Sequence, residues 1–323
     1  MTTRRQMLAG LAAVAARPAR AQAPIALRVS TASPPADFLA KLLEGFKADV
    51  EARQAGLGIT VHTASTLFRQ GTEVQALQRG NLEMSTMTTF EVAQQMPELG
   101  FLNRGYLFRD HPHLRRVFDG PVGEAYRRLV ADKMGVEILA MHYLGTRHVN
   151  LRQKRPVQAP ADLAGVKLRM PSGPEWLLLG RTLGASPVPL GMPELYLALK
   201  TGTVDGQENP LSILSAAKLY EVSEQVSLTA HMIQPVLLSI AKPFWDKLAP
   251  PQQAVLRAAA TKACAAGDQG RLADEAGIAE TLRGRGLAVE PVDLAQFRAN
   301  ADRVYAEPAK AWDAALMQKV RDA

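Results

Sequence analysis

The spacing of apolar side chains divides this chain into two tandem sets of alternating strands and helices. Ile25 to Thr31 (IALRVST) alternates apolar and polar positions, the two-residue period of a strand. From Asp37 to Arg53, Phe38, Leu42, Phe46 and Val50 recur every fourth residue and so share one helix face. LGITVHT, from Leu57, reads as a second strand, and TEVQALQRGNLEMSTMT as a short helix, a stop at Gly80 and a third strand. The order β-α-β-α-β predicts a parallel sheet covered by helices on both sides.

The rhythm then repeats. VEILAMHYLGTR, from Val136, predicts a buried strand ending in a turn at Gly145. In VKLRM, Val166, Leu168 and Met170 face away from Lys167 and Arg169. PSGPEWLLLGRTLGA predicts a helix, with Ser172 and Glu175 spaced as a capping box, Pro174 in the first turn and Gly184 as the stop. ASPVPL is a short strand, PELYLALKTG a helix from Pro193 to Gly202, and TVDGQ a strand edge. Two such modules predict two lobes with a ligand cleft between them. Pro251 to Gly286 reads as one helix of roughly 30 residues, about 45 Å at 1.5 Å per residue, long enough to bridge both lobes. Gly267 and Gly270 are expected to weaken or bend it. LAVEPV then reads as a strand, and Asp293 to Trp312 as a terminal helix broken near Pro308.

Length and composition allow two domains: 323 residues, 47% of them hydrophobic, supply ample core. The formal charge of +7, from 38 basic and 31 acidic residues, raises a nucleic-acid reading. The N-terminus answers it. MTTRRQMLAGLAAVAARPARAQA has the Arg4-Arg5 pair, an apolar stretch from Met7 to Ala16 and the small-residue pattern Ala21-Gln22-Ala23. Residues 1–23 therefore read as a secretory signal peptide, Thr3-Arg4-Arg5 resembling a twin-arginine export signal. An apolar run of about ten residues is too short for a transmembrane helix, which needs roughly 20. Removing Arg4, Arg5, Arg17 and Arg20, with no acid among residues 1–23, lowers the charge from +7 to +3. No basic block with interleaved aromatics remains, so a nucleic-acid partner is not expected. The lone Cys264, in ATKACAAG, reads as a small core residue.

TGTVDGQENP, from Thr201, concentrates polar groups. Asp205 and Glu208 are only three residues apart, unlike catalytic carboxylates brought together from separate elements, and the spacing fits no calcium loop. Asp205-Gly206 reads as a turn, which leaves Gln207-Glu208-Asn209 unexplained. Asp110-His111-Pro112-His113 lacks a further ligand cluster for zinc and reads as a helix start, with Asp110 at the cap. No common enzyme signature is present, so no catalytic residue, metal or cofactor is expected. Arg147 and Arg169 each follow an apolar strand, and open α/β sheets bind ligands at strand carboxyl ends. A guanidinium forks two N–H groups onto a carboxylate, so both point to an organic anion.

At these residues the sequence resembles a known family over essentially its whole mature length: the substrate-binding proteins of tripartite ATP-independent periplasmic (TRAP) transporters, DctP type. GTRHVNLRQKRPVQAPADLAGVKLRMP and LGASPVPLGMPELYLALKTGTVDGQENPL carry most of the likeness, supported by LFRDHPHLRRVFDGPVG. The resemblance implies a two-lobed periplasmic-binding-protein-like α/β fold with a hinge and a long bridging C-terminal helix. Residues 24–144 with 235–274 would form the first lobe, and 145–234 with 275–323 the second. It implies that Arg169 grips the ligand carboxylate bidentately, with Arg147 and Asn209 in support, and that Thr31, Gln70, Thr88 and Phe90 form the opposite wall. Relative to sialic-acid-binding members, Met192 replaces a Phe, Ser172 an Asn and Thr88 a Glu. These changes imply a smaller or more apolar acid, with Met192 filling the space left by the sugar ring. The expected protein is an exported periplasmic receptor, not an enzyme, that closes over an organic acid and delivers it to TRAP membrane subunits. An enzyme on the same scaffold and a ligand sensor without transport are the competing readings.

Overall fold

The computed structural model describes residues 24–323; the expected signal peptide lies outside the described residues. In chain order the strands are β1 (Ile25–Ser30), β2 (Leu57–His62), β3 (Met84–Thr88), β4 (Val136–Leu151), β5 (Lys167–Met170), β6 (Ser186–Pro189), β7 (Gly206–Pro210), β8 (Gln225–Ala241) and β9 (Ala288–Glu290). The helices of the first half are α1 (Phe38–Ala52), α2 (Glu73–Gln78), α3 (Thr89–Gln95), α4 (His111–Asp119), α5 (Pro121–Met134) and α6 (Pro174–Thr182). Those that follow are α7 (Leu195–Thr201), α8 (Leu211–Ala216), α9 (Lys242–Trp245), α10 (Pro250–Gly284), α11 (Leu294–Tyr305) and α12 (Ala314–Asp322).

The strands join in the order β2-β1-β3-β8-β4-β7-β5-β6, with β9 also on β8. Within each lobe the outer strands are parallel, β2-β1-β3 in the first and β7-β5-β6 in the second. The antiparallel pair β4 and β8 runs through both lobes: Val236–Ile240 pairs with β3, whereas Arg147–Leu151 pairs with β7. Strand β4 therefore does not stop at Gly145 as the sequence suggests. It passes through, because Gly145 adopts φ +132° and an added Cβ would lie 2.7 Å from Pro210. A side chain at Gly145 would fill the crossing; glycine lets the strand continue.

The 35-residue α10 runs, at 1.5 Å per residue, for about 52 Å. Leu256, Ala259, Ala260, Ala263 and Cys264 pack into the first-lobe core with Leu27, Leu43 and Phe46. Ile278 and Leu282 pack into a second-lobe core with Leu195, Leu199 and Leu214. Gly267 and Gly270 serve close approach, since an added Cβ would meet Leu42 at 2.5 Å and Phe38 at 3.1 Å respectively. The sequence-based capping box on α6 does not form: Gly173 is the N-cap and no side chain caps the helix. At the C-terminus, α11 packs on α6, while α12 lies on α5 and Trp312 and Val320 enter the first-lobe core. These contacts join the last turns to the first lobe, unlike the expectation that all of 275–323 belongs to the second.

Candidate functional site

The lobes meet around a cavity of about 100 Å³ lined from both sides. Thr31 follows β1, Thr88 ends β3, and Gln70 precedes α2, so the first-lobe wall is built from strand ends and a helix entry. The second lobe supplies Arg147 from β4, Arg169 from β5, Asn209 from β7 and Met192 from the turn into α7. These seven expected residues line one space. Phe90 does not: it is wholly buried beneath, stacked on Trp176 at 3.5 Å between ring centroids. Ser172 is exposed and lies outside the lining, because Gly173 (φ +134°) opens α6 and turns the chain there. Its neighbours Pro171 and Trp176 line the cavity instead.

The two arginines differ in their partners. Arg147 Nε donates to Glu208 Oε2 at 2.5 Å and Nη2 donates to Glu208 Oε1 at 2.6 Å, a bidentate ion pair in which both side chains are buried. Its Nη1 donates to Gln234 Oε1 at 2.6 Å, and the guanidinium lies 5.1 Å from the Trp176 ring centre. His231 Nε2 lies 3.0 Å from Glu208 Oε2. Burial works to raise the Glu208 carboxyl, but the Arg147 charge and the contacts from His231 and Arg147 outweigh it and hold it at about 2. Burial also depresses His231. Arg147 lies within β4, not beyond its end, because the strand continues to Leu151.

Arg169 is 1% exposed and has no acidic partner within ion-pair distance among the described residues. Its Nε donates to the Leu190 carbonyl at 2.7 Å and Nη2 donates to Gln70 Oε1 at 3.0 Å. Its Nη1 makes no hydrogen bond among the described residues. Burial pulls this guanidinium down to about 10, with Glu208 acting in the opposite direction and Arg147 adding to the depression. A buried charge normally carries a counter-charge. Here the cavity is where one fits.

Asn209 Nδ2 donates to Gln207 Oε1 at 2.6 Å, and Gln207 in turn donates to Asn150 Oδ1 at 3.3 Å, so the amide row is braced from behind. Asp205 holds the turn before β7 by accepting from the Lys167 amide at 2.9 Å. Gln70 Oε1 also accepts from the Met192 amide at 2.9 Å, tying the first-lobe wall to the second. The Asp110 motif is a helix start, as expected: Asp110 caps α4, and His113 Nε2 donates to the Val320 carbonyl at 2.7 Å. Sequence reasoning missed Glu208 as an ion-pair partner, and Gln234, His231 and Trp176 altogether. The polar run in QENP was the one local signal for this network.

Comparison with known proteins adds to this geometry. The family profile described as bacterial extracellular solute-binding protein, family 7 (DctP), matches residues 29–311. A solute-binding protein of Verminephrobacter eiseniae is 33% identical over 94% of this chain and 90% of its own. A TRAP periplasmic solute-binding protein of Roseobacter denitrificans, solved with 3-deoxy-D-manno-oct-2-ulosonic acid, superposes with a TM-score of 0.89 at 37% identity over 93% of this chain and 99% of its own. One from a Polaromonas species, bound to D-erythronate, superposes with a TM-score of 0.85 at 30% identity over 92% of this chain and 98% of its own.

Proposed function

The chain belongs to the DctP family of bacterial extracellular solute-binding proteins, and from this premise we propose that it is a periplasmic receptor for an organic acid. The observation that carries this reading is Arg169, a buried guanidinium at the cavity with no acidic partner among the described residues. A ligand carboxylate supplies the missing charge and accepts from Nη1, with Asn209 and the remaining Nη1 hydrogen of Arg147 as further donors. The Glu208 pair largely neutralises Arg147, so Arg169 is the principal anchor and Arg147 the braced support. The ligand acids of the solved relatives, each with a carboxylate, agree with this chemistry.

Capture works by closure about the crossing at Gly145 and Gln234-Pro235, where β4 and β8 leave one lobe and enter the other. A ligand that touches both walls gains its contacts only when the lobes meet, and so shifts the population toward the closed form. The closed form is handed to TRAP membrane subunits, and the acid leaves chemically unchanged. The test is a thermal-shift panel of mono- and dicarboxylates, sugar acids and neutral sugars on residues 24–323. At 100 times its dissociation constant, a matching acid stabilises the fold by about 2.7 kcal/mol. Shifts with neutral sugars or cations and with no acid would refute the reading.

A further inference from the structure

The first-lobe wall of the cavity carries two further carboxyl groups, Glu73 and Glu91. Glu73, in the first turn of α2, is 6% exposed and lines the cavity. Its Oε2 accepts from the Gly71 amide at 2.7 Å, and its Oε1 accepts no hydrogen bond among the described residues. Glu91 of α3 also lines the cavity; its Oε2 accepts from the Thr88 amide at 2.7 Å and from the Thr88 hydroxyl at 2.5 Å. Its Oε1 likewise has no partner among the described residues. The cavity is thus cationic on the second-lobe side and carboxylic on the first-lobe side.

Resting on the reading of this chain as a carboxylate receptor, we propose that Glu73 and Glu91 set its specificity, selecting a monocarboxylate whose far end bears hydroxyl groups. Hydroxyl donors satisfy the two open carboxyl oxygens, whereas an alkyl end leaves buried acceptors unpaired. A second carboxylate at that end meets like charge in a site shielded from water. Burial raises Glu73 to about 7, with Glu91 contributing, so the like-charge contact is complete only above that pH. The expectation of a more apolar acid rested on Met192, Ser172 and Thr88. Ser172 lies outside the cavity, and Glu91 supplies the acid that Thr88 lacks.

The experiment is titration calorimetry on residues 24–323 at about pH 8.5, where Glu73 is ionised, with two matched sets: D-erythronate, meso-tartrate and erythro-2,3-dihydroxybutanoate; and L-galactonate, galactarate and 6-deoxy-L-galactonate. Within each set the carbon chain is constant and the far end changes. In any set that binds, the hydroxy monocarboxylate is expected to bind at least about tenfold tighter than the others, the difference one mismatched polar end makes. Glu91→Gln and Glu73→Gln each narrow the ratio against the dicarboxylate by about tenfold, one like-charge contact being removed. A dicarboxylate or deoxy acid that binds the wild type as tightly as the hydroxy acid overturns the proposal, as does an unchanged ratio in both variants with native-like melting. Should a variant fail to fold, the wild-type ratios decide. If none of these acids binds while another acid of the thermal-shift panel does, this proposal falls and the carboxylate-receptor reading stands.

Discussion

Arg147 and Arg169 have similar local sequence, an apolar strand segment leading to a cation, yet their surroundings differ. Glu208, His231 and Gln234 converge on Arg147 from β7 and β8, so its charge is balanced within the protein. Among the described residues Arg169 has only neutral hydrogen-bond partners, the Leu190 carbonyl and Gln70. No local pattern separates the two, because the partners of Arg147 lie 61 and 87 residues away in sequence. A buried acid on the opposite wall offers a residue-scale test. Glu73 is raised from the usual carboxylate range to about 7, chiefly by burial. Below about pH 4.5 folded and unfolded chains both hold this proton; as pH rises toward 7 the unfolded chain releases it first, so stability falls. Glu73→Gln removes that slope. Urea unfolding should show the variant gaining on the wild type between pH 4.5 and 7, by roughly 1 to 3 kcal/mol. A pH-independent gap would contradict the assignment.

Among the elements, α10 makes the clearest distinction between glycines. An added Cβ at Gly267 would lie 2.5 Å from Leu42 and 3.1 Å from the His142 ring, whereas one at Gly277 meets nothing within 4 Å. Gly277→Ala should therefore stabilise the protein by about 1 kcal/mol through helix propensity. Gly267→Val should destabilise it by about 1 to 3 kcal/mol through overpacking. Denaturant unfolding of the two variants checks both signs. The periodicity of α1, α7 and α10 and the alternation of β1 and β5 were legible in sequence, since each follows from local burial on one face. Strand β8 was not: QVSLTAHMIQPVLLSIA is buried on both faces over most of its length, so it lacks alternation, and Pro235 in its middle reads as a break. It is a strand because β3, β4 and β9 pair with it. Ser172 misled for a related reason. Its spacing to Glu175 mimics a capping box, but the φ of Gly173 sets the real helix entry.

At the scale of the whole molecule, two strands and one helix connect the lobes. The buried Arg271 of α10 braces this region: its Nη2 lies 3.0 Å from both carboxylate oxygens of Asp37, the cap of α1, and its Nη1 donates to Ser212 of α8. Two-lobe organisation was legible as two β-α-β-α-β modules in tandem. A cleft between them was expected from the same tandem order, but its lining depends on long-range pairing, and apart from Arg147 and Arg169 those residues were legible only through family resemblance. We propose that Arg169 is a buried cation completed by the ligand's carboxylate. Titration calorimetry of Arg169→Ala against wild type, with the tightest acid from the thermal-shift panel, tests it most directly. The predicted loss is about 2 to 4 kcal/mol, or roughly 30- to 1000-fold in affinity, in a variant whose unliganded melting is native-like. Wild-type affinity in that variant would contradict the claim.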